Sequence, residues 1–350
     1  MTRVIVLGPV PDSAGGIGIL MGHLSRAGAE GLTVRFVDSG GTPGKPLARL
    51  LSFLRAARVC AGPVEEGTVF HVNLSSGLST WRKLVLVTVL WMRSRPYLLH
   101  LHGGKYHEFV AGARPLARRL IRRMFQGAAG VIVLGEFWRR AVRDLLDVDP
   151  ERIVVVPNAV PGPATTPQRT GPPVVLFSGR IGRGKGVHDL LEAWGSLPAG
   201  VRTTLVLAGD NPEPDELGDL LAHTPDVEVT GWLGEAQLRD RLAQASILVL
   251  PSYGENLPMS LLDAMAWGLA PVVTDVGAVG EVVEDGRSAV VVPVGEPAAL
   301  AEVLRGLLTD PQRTARMGRE ARRRWDEGYR IDNYGARLKD VYDRAAGQGA

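Results

Sequence analysis

The segment PSYGENLPMSLLDAMAWGLAPVV (Pro251–Val273) sets two carboxylates, Glu255 and Asp263, eight residues apart around Pro258. It follows directly on the apolar run SILVLPS. Proline suits the first turn of a helix, so Glu255 falls in the loop before a helix and Asp263 in its second turn. At 1.5 Å rise per residue the two groups stand about 12 Å apart. Glycosidase carboxylate pairs sit about 5–5.5 or 6.5–9.5 Å apart, so this pair is too wide to act on one bond. It suits a ligand gripped at both ends, such as the sugar and the ribose of one nucleotide sugar. Complementing a helix dipole would explain Glu255 but not Asp263.

Three other groups carry residue types that do chemistry. SGRIGRGKG (Ser178–Gly186) follows an apolar run and opens a helix, with Arg180 and Lys185 five residues apart in a glycine-rich turn. Two cations beside helix-start amides make a diphosphate cradle; the bland alternative is a solvated basic turn. Both side chains are expected to be exposed. PDSAGGIG (Pro11–Gly18) is a second glycine-rich turn, where Gly15 and Gly16 let backbone approach an anion; a plain turn reads equally well. LHLHGG (Leu99–Gly104) puts His100 and His102 at a strand end, where a satisfied structural histidine is the ordinary case. Neither has a third ligand partner nearby, so no zinc site is expected. The only D-x-D-like sequence, DVD (Asp147–Asp149), precedes Pro150 in a surface turn, and no metal site is expected.

Residues of this kind need strands to position them. At 350 residues the chain is long enough for two domains. A hydrophobic content of 45% with 22% charged residues excludes disordered and fibrous classes. The net charge of +3 gives no nucleic-acid signal. One cysteine, Cys60, excludes a disulfide framework and fits a reducing, cytoplasmic setting. Met1–Val10 reads as a strand rather than a signal peptide. The most apolar run, Leu84–Met92, has nine residues where a membrane span needs about 20. RVIVLG, TVRFVD, TVFHVN, YLLHLHG, GVIVLG and RIVVVPN form one series of apolar runs separated by helical patterns. VVLFSGR, TTLVLAGD, VEVTG, SILVLPS, APVVTDV and AVVVPV form another. Between them AVPGPATTPQRTGPP (Ala159–Pro173) has the composition of a linker. The expectation is α/β: two Rossmann-like doubly wound domains facing a cleft, residues 1–163 and 164–329. A terminal amphipathic segment, 330–350, follows. Ligands of such sheets bind beyond the carboxyl ends of the strands.

The GG turn, LHG, VPN, GRxxxxKG and the paired-carboxylate motif occur in the order and strand contexts of the group 1, or family 4, retaining glycosyltransferases with the GT-B fold. The chain resembles that family over nearly its whole length. The resemblance implies that Arg180 and Lys185 face the donor diphosphate and Glu255 the donor sugar, with Asn256 and Leu257 beside it. It implies His102 near the reacting sugar, and Gly15 and Gly16 near the donor phosphate and acceptor. Ser178 and Gly179 belong to the donor loop. Asp263 stands where the family usually has a ribose-binding glutamate and is one methylene shorter; PNAVP (Pro157–Pro161) departs from the usual PNGVD. The terminal segment is implied to cross back onto the first domain.

The implied function is transfer of a hexose from a nucleoside diphosphate sugar, UDP-sugar before GDP-mannose, to a saccharide or lipid-linked acceptor, with retention and without a metal. The donor is a co-substrate, and no cofactor is expected. A GT-B epimerase and a catalytically silent subunit of a transferase complex are the alternatives; the motif order fits an epimerase or a phosphorylase poorly, and Arg180, Lys185 and Glu255, whose loss would mark a silent subunit, are all present. Two arginine-rich amphipathic stretches, Leu47–Val59 and Arg114–Phe125, the latter with Arg118, Arg119, Arg122 and Arg123, read either as solvated helix faces or as contacts to an anionic membrane surface. A peripheral membrane location is the expectation on the second reading.

Overall fold

The computed structural model describes residues 1–13, 15–28, 30–40, 46–211 and 214–347. The chain divides into two compact units, Met1–Ala159 with Ile331–Ala350, and Val160–Arg330. In the first unit strands alternate with helices: β1 (Thr2–Gly8), α1 (Gly16–Ala27), β2 (Leu32–Asp38), α2 (Pro46–Ala61), β3 (Val69–Leu74), α3 (Leu78–Met92), β4 (Tyr97–Leu101), α4 (Tyr106–Ala111), α5 (Pro115–Gln126), β5 (Gly130–Val133), α6 (Glu136–Leu146) and β6 (Ile153–Val155). The six strands pair in parallel in the order β2-β1-β3-β4-β5-β6. The central strands β3, β4 and β5 are buried at every residue, because helices cover both faces of a parallel sheet. That is why their sequences are continuous apolar runs rather than alternating ones.

The second unit repeats the scheme with β7 (Val174–Ser178), α7 (Val187–Ser196), β8 (Thr204–Ala208), α8 (Pro214–His223), β9 (Val227–Gly231), α9 (Glu235–Gln244), β10 (Ile247–Leu250), α10 (Met259–Ala266), β11 (Ala270–Thr274), α11 (Val279–Val282), β12 (Val290–Val292), α12 (Pro297–Thr309) and α13 (Pro311–Gly328). Its sheet runs β12-β11-β10-β7-β8-β9. Counted from its own first strand this is the 3-2-1-4-5-6 order of dinucleotide-binding folds. The order reverses between β7 and β10. A crevice opens beyond the carboxyl ends of the two strands at such a reversal, and the charged turns follow these two strands.

The last helix, α14 (Tyr334–Gly347), belongs to the first unit. It buries Tyr334, Leu338, Val341 and Tyr342, and Tyr342 Oη lies 2.7 Å from His71 Nδ1 in β3.

The proline-rich segment is not a loose linker. Val160 N–H donates to the Tyr329 carbonyl at 3.1 Å. Arg322 donates to the Pro163 carbonyl at 3.0 Å, and Arg169 to that of Trp267 at 2.8 Å and Leu242 at 3.1 Å. A Cβ on Gly162 would come within 2.5 Å of the Trp325 ring. The composition is that of a linker because prolines cannot donate and glycine permits close approach. Arg322 donates into the strip and the strip's own Arg169 donates outward to α9 and the end of α10; together they fix it along the second unit, so the division falls at Ala159/Val160 rather than near residue 163.

Candidate active site

In the second unit β7 ends at Ser178, which is half-buried and pairs in register with Ala208 of β8. The chain then turns through Gly179, whose N–H donates to the Ala208 carbonyl at 2.9 Å. A single turn of tighter helix, Arg183–Lys185, leads into α7 through Gly186. Gly186 has φ +69, and a Cβ there would lie 2.0 Å from the Pro251 carbonyl oxygen. Only glycine satisfies both conditions. Its absence of a side chain lets the β7 turn press onto the loop after β10, and Tyr253 N–H donates to the Gly184 carbonyl at 3.1 Å.

This contact brings Lys185 and Glu255 together. Lys185 Nζ lies 2.5 Å from Glu255 Oε1, and the same oxygen accepts from Ser252 Oγ at 2.8 Å. Glu255 is buried and Lys185 half-buried, so Lys185 is not the freely exposed side chain that the sequence suggested. A buried carboxylate needs such compensation, and here the cation of the candidate diphosphate cradle provides it. Arg180 is exposed and lies against Asp210 at 3.6 Å, not against Glu255. Asn256 and Leu257 are buried; the Asn256 carbonyl accepts from Ala278 N–H at 2.9 Å, which ties the carboxylate loop to the turn before α11.

Asp263 lies half-buried in the second turn of α10, eight residues beyond Glu255, and is not part of the Lys185–Glu255–Ser252 bonding. Its carboxyl is pushed up to about 7, first by burial and then by the Glu235 carboxylate, with Arg239 opposing. At neutral pH the group is therefore poised between its two protonation states.

In the first unit the sheet reverses between β1 and β3, and the polar groups again gather at the carboxyl ends. Gly15 (φ +100) and Gly16 are exposed at the start of α1; their neighbour Ala14 lies outside the described residues. A Cβ on Gly8 would strike the Asn73 amide at 2.8 Å, so glycine at the end of β1 makes room for Asn73 from β3. Asn73 Oδ1 is 2.8 Å from His102 Nε2 and 3.1 Å from His71 Nε2. His71 Nε2 is also 3.1 Å from His100 Nδ1. Burial lowers all three imidazoles, His71 to about 4 and His102 to about 3, and each stays neutral. An amide oxygen only accepts, so His71 and His102 each carry the proton on Nε2. His71 Nδ1 then accepts from Tyr342 O–H, and His102 keeps Nδ1 as an acceptor. Asp147 and Asp149 of DVD are caps: Asp147 ends α6 at φ 55, and Asp149 accepts from Glu151 N–H at 3.0 Å. No group of three His, Cys, Asp or Glu side chains among the described residues could hold a metal ion.

Residues 3–159 match the Glycosyl transferase 4-like domain, and residues 172–310 match the Glycosyl transferases group 1 family. The D-inositol 3-phosphate glycosyltransferase of Xylanimonas cellulosilytica is 33% identical over 371 aligned positions, covering 96% of this chain and 84% of the relative. The chain belongs to the group 1, or family 4, glycosyltransferases. The Alpha-D-kanosaminyltransferase of Streptomyces kanamyceticus is 26% identical, covering 79% of this chain and 78% of the relative. Sucrose-phosphate synthase from Thermosynechococcus elongatus superposes with a TM-score of 0.78 at 17% identity, covering 99% of this chain and 100% of that one. Anabaena HepE, solved with UDP and glucose, superposes with a TM-score of 0.76 at 16% identity, covering 98% and 100%. The two six-stranded parallel sheets are those of the GT-B fold.

Several residues of this glycosyltransferase that shape the site escape a sequence reading. Ser252 and Asp210 each follow a strand, and strand-end position was the available signal for both. His71, Asn73 and Tyr342 meet only through tertiary packing. Glu235 and Arg239 sit on α9, with no motif tying them to Asp263.

Proposed function

We propose that this group 1 glycosyltransferase moves a hexose from a nucleoside diphosphate sugar to a saccharide or lipid-linked acceptor, with retention of configuration and without a metal. The observation that carries the reading is the Lys185–Glu255 pair at 2.5 Å, set beyond β7 and β10 where the sheet order reverses. Cleaving the sugar–phosphate bond builds negative charge on the leaving diphosphate. Lys185 and Arg180 are the cations assigned to it, and preorganised charge at such a point is worth about 10²–10³ in rate. Glu255 accepts from the donor sugar, and Asp263 from the ribose. In the free enzyme Lys185 is held by Glu255; a donor would share both, so the pair keeps the cation oriented before substrate arrives. His102, neutral and bonded through Nε2, presents Nδ1 as an acceptor to a sugar hydroxyl. The acceptor's proton passes to the donor's own phosphate in a front-face attack, and no protein nucleophile is assigned.

A UDP-sugar is favoured and GDP-mannose is next; Anabaena HepE has been solved with UDP-glucose, which supports the uridine reading. Envelope, exopolysaccharide or glycoconjugate synthesis is the setting. No helix among the described residues is long and apolar enough to cross a membrane; a peripheral location at an anionic surface, through Arg118, Arg119, Arg122 and Arg123, is part of the proposal. A panel of nucleotide sugars in a thermal-shift assay tests the donor class. The true donor at a hundred times its Kd stabilises by about 2.7 kcal/mol. If no nucleotide sugar stabilised the protein, the reading would fail. NMR of the product's anomeric centre tests retention.

A further inference from the structure

Helix α2 is far more exposed than a helix of a doubly wound sheet should be. Only Ala56 and Cys60 of its sixteen residues are buried. Leu47, Leu50, Leu51 and Leu54 are between 47% and 68% exposed, and their i, i+3, i+4, i+7 spacing puts them on one stripe. By helical geometry Arg58 continues the same stripe and Arg55 flanks it. The neighbouring helix α3, which packs on α2, exposes Leu78, Val85 and Met92 at seven-residue intervals. Helix α5, packed on α3, exposes Leu116 with Arg119, Arg122 and Arg123. None of these three helices carries an Asp or Glu. Beside α2 a groove of about 570 Å³ is lined by Arg35, Arg55 and Arg58 over Phe36, Val59 and Val64, with Asp38 its only carboxylate. Among the described residues none of those three arginines is in an ion pair.

We propose that the α2–α3–α5 face docks on an anionic lipid bilayer, with the α2 leucines entering the acyl boundary and the arginine groove receiving lipid phosphate. Exposed leucines alone would fit a second copy of the chain as well. Leucines running into arginines on three helices without a carboxylate, beside a groove with three arginines to one aspartate, fit an anionic bilayer, because two such faces would repel each other. The inference rests on the membrane partner proposed above and moves its apolar contact from α5 to α2. It is read without turnover, so its failure is separable from that of the glycosyl-transfer reading.

Sedimentation of the full chain with vesicles tests it. Binding is expected to vesicles of equal parts phosphatidylcholine and phosphatidylglycerol, and not to phosphatidylcholine alone. Each arginine near such a surface contributes about fivefold in partitioning, so Arg55→Gln with Arg58→Gln should lower binding about twenty-five-fold. Leu50→Ser with Leu54→Ser should lower it more than tenfold. Both pairs are solvent-exposed, so melting temperatures should stay at the wild-type value. Unchanged binding by the α2 variants, with loss on replacing Arg118, Arg119, Arg122 and Arg123, would overturn the α2 assignment and leave the membrane partner standing. Equal binding to both vesicles, or none to either, would overturn the inference outright. So would a dimer that the leucine variant converts to monomer without any vesicle binding.

Discussion

Asp263→Asn should stabilise the protein, and by more at pH 8 than at pH 5. The carboxyl ionises near 4 in an unfolded chain and near 7 in the folded one. A raised folded value means that the native state holds the proton more tightly. Stability from this group is therefore fully present below about pH 4 and is lost as pH rises through about 7. A shift of about three units is worth about 4 kcal/mol when fully expressed. At pH 5 roughly 1.7 kcal/mol of that is already lost, and at pH 8 almost all of it. Asparagine keeps the shape and cannot ionise. The variant's advantage should then grow by about 2.6 kcal/mol between the two pH values if fully expressed, and solvent reaching the half-buried group reduces this to about 1–2 kcal/mol. Other titrating groups are common to both proteins and cancel in the difference.

In a unit of this size each kcal/mol moves the melting temperature by about 2–4 °C. The difference in melting temperature between variant and wild type should therefore widen by about 2–8 °C from pH 5 to pH 8. Calorimetry resolves this, since the transition that moves must be that of the second unit. A difference that did not change with pH would mean the carboxyl is hydrated and ordinary, and the account of burial beside Glu235 would be wrong. A difference that narrowed with pH would reverse its sign and show the carboxylate to be bound by a cation. Asp263→Ala, which removes the acceptor altogether, tests the assignment to the ribose: nucleoside diphosphate affinity should fall about 10–150-fold if Asp263 accepts from its hydroxyls. Glu255→Gln should leave that affinity nearly unchanged.

Lys185→Met should both abolish turnover and destabilise the second unit by about 1–3 kcal/mol, because it strands the buried Glu255 carboxylate; Lys185→Met with Glu255→Gln should regain most of the stability and none of the activity, as read by urea denaturation and product assay. Arg180→Ala should leave stability within about 0.5 kcal/mol while lowering kcat by about 10²–10³, and a wild-type rate would remove Arg180 from the diphosphate site. Activity should survive EDTA; loss restored by Mn²⁺ or Mg²⁺ would refute the assignment of the leaving-group charge to the two side chains alone. With His102 lowered to about 3 by burial, its NMR signals should not titrate between pH 5 and 8; a titration inside that range would show the ring to be hydrated rather than buried.

What the sequence revealed and what it hid follow from the range of the interactions involved. The central strands are legible because a parallel strand covered on both faces must be an apolar run, the half-buried edge strands β2 and β9 from alternating apolar residues between turns, and the turns because glycine and proline act locally. Lys185 and Glu255 could be marked as functional types at strand ends, yet they are seventy residues apart and their pairing depends on Gly186 meeting the Pro251 carbonyl across one sheet reversal. The linker was misread for the same reason: prolines and glycines describe what the strip cannot do for itself, while its bonds run to distant carbonyls from its own Arg169 and into it from Arg322. Helix α2 is the converse case. Its leucines at helical spacing describe a face that ought to be buried, and no local rule says whether the sheet or something outside the chain will cover it. Tertiary structure settles the first half by turning Ala56 and Cys60 inward and leaving the leucines out. The chemistry of the uncovered half then returns to composition, where a face bearing arginines and no carboxylate fits an anionic partner.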